Sequence, residues 1–272
     1  MLTPALAAAV GEFIALLEAR TGQQMGSNRN WRIETALKPV LRETGHHTLE
    51  ALAAAVRVDR GGALATRLVD ELLNKESSFF RDAAVFDSVE QVIAAVPTTR
   101  RPRIWSAGCS TGQEPLSLAM MFAEKIDEQM PEIIATDVSE AALCQAKAGR
   151  YTQFEIQRGL PIRRMMQWFD SVDAEWVANP GLTRMVSFRK MNLVADPLPI
   201  GRFDVILCRN VLLYFSPDLR RRVLERLVKV LRPEGVLVLG AGETVIGQTE
   251  AFRPSQRYRG LYEPVWGCAA AA

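Results

Sequence analysis

The stretch RIWSAGCSTGQEP, residues 103–115, decides the fold class. Arg103–Ser106 reads as a short strand that runs into a glycine-containing turn, and Pro115–Ile126 reads as the helix that follows. Gly108 and Gly112 let main chain approach a ligand closely, and the helix aims its N-terminal amides at the same place. Alone, such a loop is weak, because many nucleotide-binding folds carry one. The spacing of Gly108 and Gly112 does not give a G-x-G-x-x-G fingerprint, which disfavours a dinucleotide site.

Outward from this unit, strand and helix alternate. Glu132–Thr136 is a predicted strand and Ser139–Gly149 a helix; Phe203–Cys208 is a strand. Pro217–Leu231 is a helix with Leu219, Val223, Leu227 and Val230 on one face, and Val236–Gly240 and Leu261–Val265 are further strands. Pro264 makes the last of these the least secure. Alternation of this kind implies a mainly parallel sheet with helices on both faces and a ligand at the carboxyl ends of its central strands. Residues 151–192 interrupt the alternation; with Trp168, Trp176 and a strand at Met185–Phe188, they are expected to form an inserted helix and hairpin.

Before about residue 75 no convincing strand occurs. Leu6, Val10, Phe13, Ile14 and Leu17 recur at helical spacing, and after a break at Thr21–Asn30 so do Ile33, Leu37, Val40 and Leu41. Pro39 predicts that this second helix begins late or kinks there. Gly45 ends it, Thr48 opens a third helix, and Gly61-Gly62 precedes a fourth that runs through Leu73. The expected organisation is a small helical domain, residues 1–75, and an α/β domain, residues 76–268, with an insertion at about 151–190.

The chain has 272 residues, 48% of them apolar and 24% charged, the balance of an ordinary globular protein. A formal net charge of +2 gives no general argument for nucleic acid or an anionic membrane. Cys109, Cys144, Cys208 and Cys268 form no C-x-x-C pair and fit neither a zinc site nor a disulfide framework. His46 and His47 are the only histidines, so metal or Ser-His-Asp chemistry has almost no material. No apolar run approaches the roughly 18 to 20 residues that span a bilayer. MLTPALAAAV lacks a basic n-region and continues into a helix with Glu12 and Glu18, so no membrane insertion and a cytoplasmic location are expected.

Two further elements lie where the sheet should hold its ligand. Strand IIATD ends in Asp137, placed either to accept the ribose hydroxyls of an adenosine or to cap the helix that starts at Ser139. Loop and Asp137 together point to a nucleoside site. In DVILCRNVLLYF, residues 204–215, an apolar strand ends in Arg209 and Asn210; Asn210 also suits a helix cap, and Phe215 suits the core.

The blocks NKESSFFRD (74–82), WSAGCSTGQEP (105–115), ATDVS (135–139), RGLP (158–161), MNL (191–193) and CRNVLLYF (208–215) occur in this order. In this the chain resembles the CheR-type S-adenosylmethionine-dependent protein-glutamate O-methyltransferases. The resemblance covers residues 70–265, and the helices before it are similar in layout to the family's N-terminal domain. It implies a Rossmann-like class I methyltransferase sheet with an inserted small β/helical subdomain and a small all-α N-terminal domain. It implies S-adenosylmethionine as cofactor and S-adenosylhomocysteine as product. Ser77 and Arg81 match the segment that folds over the cofactor, Glu114 the acid after the glycine loop, and Asp137 the ribose-binding acid. Asn192 and Leu193 match the pair that flanks the adenine, and Arg209 and Asn210 the family's Arg-Asn pair. Arg81 and Tyr214 occupy the positions beside the reacting carboxylate, and these two are the expected catalytic residues.

The implied substrate is glutamate in a partner protein, first of all the cytoplasmic coiled coil of a chemoreceptor. The rivals are a methyltransferase acting on another protein or a small carboxylate, and a non-catalytic module that binds the cofactor or its demethylated product. Three positions depart from the family. Lys75 stands where Asn is frequent, and is expected to point away from a cationic cofactor. Ala36, Pro39 and Val40 replace basic residues on the receptor-facing helix, leaving Arg29, Arg32, Lys38 and Arg42 as either a solvated face or a receptor contact. DSVDAEWVANPGLTRMV, residues 170–186, is shorter and poorer in glycine than the hairpin of members that dock on a receptor's C-terminal pentapeptide, so no such tether is expected. Oligomeric state has no signal in the sequence.

Overall fold

The computed structural model describes residues 3–26, 30–125, 129–199 and 201–266; Arg29, Ile126 and Cys268 lie outside the described residues. By packing, the chain divides into a helical unit through Asn74, which includes the short segment Tyr214–Ser216, and a second unit made of the rest.

The helical unit contains α1 (Pro4–Thr21), α2 (Asn30–Thr44), α3 (Leu49–Val58) and α4 (Ala63–Leu72). Thr3 and Thr48 accept the Leu6 and Ala51 amides and so open α1 and α3, and Gly22, at φ 75°, closes α1. Phe13, Leu17, Ile33, Leu37, Leu52 and Leu68 fill the core. α2 begins nine residues before Pro39 and runs through it, so of the two outcomes that Pro39 predicts the late start does not occur. An interior proline costs about 3 kcal/mol, whereas each fully buried aliphatic side chain returns about 1.5–3 kcal/mol. Ile33, Leu37 and Val40, all fully buried on either side of Pro39, outweigh it. Lys38 and Arg42 are exposed on this helix and Arg32 is half-buried.

The second unit opens with α5 (Ala83–Ala94), a helix the sequence reading did not anticipate, and continues with β1 (Arg103–Ala107), α6 (Gln113–Ala123), β2 (Glu132–Asp137) and α7 (Glu140–Ala148). Then come β3 (Arg150–Thr152), α8 (Gln153–Gln157), α9 (Ile162–Trp168), β4 (Phe169–Val172), β5 (Glu175–Ala178), α10 (Pro180–Thr183) and β6 (Val186–Lys190). The chain ends with β7 (Phe203–Cys208), α11 (Pro217–Leu227), β8 (Leu231–Leu239), β9 (Phe252–Pro254) and β10 (Tyr262–Pro264). The main sheet has seven strands in the order β6-β2-β1-β7-β8-β10-β9. Its first five are parallel, and β10 is antiparallel to β8 and β9. All six residues of β7 are buried, as a strand covered on both faces requires. Strand order reverses between β1 and β7, so the loops after β1, β2, β6 and β7 converge on one edge.

Two features differ from the sequence reading. The strand placed in the insertion at Met185–Phe188 is instead β6, the outermost strand of the main sheet, paired in parallel with β2. The insertion proper is the antiparallel sheet β3-β5-β4 with α8, α9 and α10, and its hairpin turns on Asp173 and Ala174 alone. The predicted helix through Leu231 stops at Leu227; a 3-10 turn follows, and Leu231 already belongs to β8. Pro264 does not prevent β10: it sits at the strand's end, opposite Phe252.

Candidate active site

The loop from Gly108 to Gly112 is tied to the tip of β2. The amides of Gly108 and Cys109 both donate to the Thr136 carbonyl, at 2.8 and 2.9 Å. Gly108 has φ 80°, and a Cβ there would lie 2.5 Å from Val211 Cγ2 in the loop after β7, so only glycine fits. Asp137 receives the Ser110 amide on Oδ2 (2.8 Å) and the Ser139 amide on Oδ1 (2.9 Å). The helix cap itself is Ser139, whose hydroxyl accepts from Ala142. Asp137 therefore joins two loops.

Residues 75–82 form a strap. Phe79 is fully buried and packs edge-on against Tyr151 (5.1 Å) and Phe169 (5.6 Å), both from the insertion. Its amide donates to the Arg158 carbonyl at 3.1 Å, the Phe80 amide donates to Ser117 Oγ at 3.0 Å, and Arg158 pairs with Glu76 at 2.9 Å. Ser110 Oγ donates to the Lys75 carbonyl at 2.8 Å, so Lys75 serves the loop through its main chain. Ser77 is half-buried on this strap, and so is Arg81. The Arg81 side chain has no hydrogen bond or ion pair among the described residues.

Arg209, with a side chain 2% exposed, fastens strap to loop. It donates to Glu114 Oε2 at 3.0 Å, to the Arg81 carbonyl at 2.8 Å and to Asp82 Oδ2 at 2.6 Å, while its buried Nε has no partner. Glu114 also accepts from Ser106 Oγ at 2.7 Å. Of the residues singled out in the sequence, Arg209, Glu114 and the Arg81 main chain are thus in direct contact.

The loop after β6 carries Asn192 and Leu193. The Met191 amide donates to the Asp137 carbonyl at 2.9 Å, and Asn192 Oδ1 accepts the Val194 amide at 3.0 Å. Arg226 of α11 clamps this loop by donating to the carbonyls of Leu193 and Val194, both at 2.6 Å, and of Asp196. After β7, Asn210 adopts φ 58°, and its amide donates to Glu243 Oε2 at 2.7 Å. Arg226 and Glu243 lie outside every motif block, and no signal in the sequence marks them. Tyr214 groups with the helical unit, where its hydroxyl meets Asn74 Nδ2 and its carbonyl accepts from the Gln24 amide at 2.7 Å. Phe215 is buried, as expected.

The buried thiols beside the site are inert. Burial, reinforced by the negative charges of Asp137 and Glu114, pushes Cys109 well above its ordinary value, and burial does the same to Cys208, with Glu243 and Glu114 adding to it. Both stay protonated near neutrality and act as small core side chains. Burial also raises the Tyr151 phenol, which donates to the Thr111 carbonyl at 2.8 Å and braces the glycine loop from below. Among the described residues no His, Cys, Asp or Glu cluster could hold a metal ion, and no helix is long and apolar enough to cross a membrane.

Residues 75–260 match the family described as CheR methyltransferase, SAM binding domain. A chemotaxis protein methyltransferase 1 of Pseudomonas aeruginosa is 35% identical over 260 residues, covering 92% of this chain and 94% of that protein. A chemotaxis protein methyltransferase of Vibrio anguillarum is 36% identical over 249 residues, covering 89% and 90%. A chemotaxis protein methyltransferase 1 of Vibrio cholerae is 34% identical over 250 residues, with the same coverage. Glycine loop, strap and Arg-Asn pair thus fall inside a match that spans most of both chains, and the chain belongs to the CheR family of S-adenosylmethionine-dependent methyltransferases.

Proposed function

We propose that the chain methylates glutamate side chains of a partner protein, giving a glutamate methyl ester and S-adenosylhomocysteine, with the cytoplasmic coiled coil of a chemoreceptor as its substrate. The observation that carries the reading is Arg81: a half-buried guanidinium on a strap anchored by two phenylalanines, without an acidic partner among the described residues. A cation held this way suits an incoming carboxylate, which an arginine fork can grip through two parallel hydrogen bonds.

The donor set fits the cofactor. Asp137 stands at the tip of β2, where an acid can accept ribose hydroxyls, and the Asn192-Leu193 loop reaches the same edge through the Met191 amide. The family resemblance assigns Glu114 and Ser77 to the cofactor as well, and Asn210 stands in the loop after β7. S-adenosylmethionine supplies a methyl group already activated by its sulfonium centre. A glutamate carboxylate is anionic at neutral pH, so no residue has to remove a proton. Arg81 aligns the carboxylate oxygen, Phe79 and Phe80 hold the strap that keeps water out, and Arg209 fixes the main chain of Arg81. The role of Tyr214 beside the carboxylate rests on its place in the CRNVLLYF block.

Two features support a receptor as substrate, and a third bears on how it would be recognised. The relatives are named for chemotaxis. Lys38 and Arg42 give α2 an exposed basic face suited to acidic helices, and a cytoplasmic location follows from such a partner. The two-residue turn at Asp173 and Ala174 supports recognition without a pentapeptide tether. The test is transfer of labelled methyl to a purified acidic receptor coiled coil, with release by mild base as an ester. Label that resists base, or that reaches only small carboxylates, would rule the reading out.

A further inference from the structure

We infer that Glu243 is a positioning residue for the cofactor, acting through Asn210. This rests on the reading that Asn210 contacts the cofactor, and extends it to a residue outside the motif blocks. Glu243 lies in the loop after β8, and its carboxylate gathers three main-chain amides. Oε2 accepts from Asn210 at 2.7 Å and from Gly240 at 2.8 Å, and Oε1 accepts from Leu213 at 3.1 Å. Two of the three donors belong to the loop after β7, so one side chain sets the path of that loop from Asn210 to Leu213.

Asn210 needs such support. Its φ of 58° is in the left-handed region, where a non-glycine residue stays only when its surroundings hold it. The surroundings are close: a Cβ on Gly240 would come within 2.8 Å of Asn210 Nδ2 and 2.9 Å of its main-chain nitrogen. Glycine at 240 thus lets the two loops touch, and Glu243 locks them. The carboxylate is needed because all three partners are donors. The oxygen of a glutamine could serve the Asn210 and Gly240 amides or the Leu213 amide, but its NH2 group would then face an N–H.

The experiment measures S-adenosylhomocysteine affinity and melting temperature for the full chain and for Glu243→Gln, Asn210→Ala, the double variant of these two, and Asp204→Asn. Asp204 belongs to the same strand, β7, but to its opposite end, so its variant reports destabilisation without a change at the site. Weakening the support of Asn210 by about the worth of one hydrogen bond is expected to reach the cofactor as about a tenfold change in affinity. Expected are about tenfold weaker binding for Glu243→Gln, a similar loss for Asn210→Ala, no further loss in the double variant, and unchanged affinity for Asp204→Asn despite a lower melting temperature. Wild-type affinity in Glu243→Gln alongside weakened Asn210→Ala would overturn the role of Glu243 and leave the cofactor reading intact. Wild-type affinity in Asn210→Ala would overturn both. A loss in Asp204→Asn equal to that in Glu243→Gln would reduce Glu243 to a stabilising residue.

Discussion

At the N-terminal end of β7 the buried Asp204 carboxylate accepts both terminal nitrogens of Arg100, at 2.9 and 2.5 Å, and the Arg103 amide at 2.9 Å. Arg232 Nε lies 3.6 Å from the same carboxylate, within ion-pair range, and has no hydrogen-bond partner among the described residues. At the C-terminal end the sign is reversed: buried Arg209 donates to Glu114, Asp82 and the Arg81 carbonyl, and again one guanidinium N–H is left over. In both networks the hub side chain is buried and one guanidinium Nε lacks a hydrogen bond among the described residues. What separates them is what they hold. Asp204 joins the start of β7 to the segment leading into β1, whereas Arg209 joins a strap to a glycine loop. A buried ion pair is therefore no sign of function by itself; the segments it fixes decide.

The sharpest way to break this comparison is to remove each hub. Arg209→Ala and Asp204→Ala should each destabilise the fold by about 3–5 kcal/mol, the cost of leaving buried charges without their partner. Chemical denaturation measures that cost, and S-adenosylhomocysteine titration of the folded fraction separates the two. Affinity should fall in the Arg209 variant and persist in the Asp204 variant; equal affinities would erase the distinction.

Next in size is Arg81→Ala. It removes a side chain that pairs with nothing among the described residues, so the melting temperature should barely change. Methyl transfer should drop about a hundredfold, the order of loss when a reacting group is mispositioned, and far more than cofactor affinity does. A loss of stability with transfer intact would make Arg81 structural, like Arg100.

A smaller effect is expected where α6 meets α9. Burial alone would raise Glu124, but hydrogen bonds from Arg164 and Trp168 outweigh it and leave the carboxyl below its ordinary 4.5. A depressed folded value means that the contribution is present above the unfolded value and is lost as pH falls through the folded one. The pair is partly exposed, so its worth is below about 1 kcal/mol. Glu124→Gln should lower the melting temperature slightly at pH 7, and the difference should vanish as pH falls well below 4.5. A difference that persists in acid would mean packing, not charge.

The legible parts of the molecule were those in which one short stretch contains the physics. The strand, glycine loop and helix of 103–123 are legible as a unit, and it is that loop taken together with Asp137 at the end of the next strand that points to a nucleoside site. The resemblance supplied what spacing could not, above all Ser77, Arg81 and Asn192. The illegible parts depend on partners far apart in the chain. Glu243 reaches 33 residues back to Asn210, and Arg226 reaches 33 residues back to Leu193, through main-chain atoms that carry no residue identity. β6 was misassigned to the insertion because the pairing of Ile133 with Val186, which puts it in the main sheet, is a property of register rather than of composition. The start of α2 ahead of Pro39 has the opposite reason: the local rule is strong, but burial of Ile33, Leu37 and Val40 is stronger.

The C-terminal edge of the sheet, closed by the strap and keyed by Asp137, is the proposed cofactor site. Calorimetric titration with S-adenosylhomocysteine, comparing wild type with Asp137→Ala, tests it most directly. The account predicts micromolar binding that collapses in the variant while the melting temperature shows a folded protein. Equal binding in both would place the cofactor elsewhere and contradict the account.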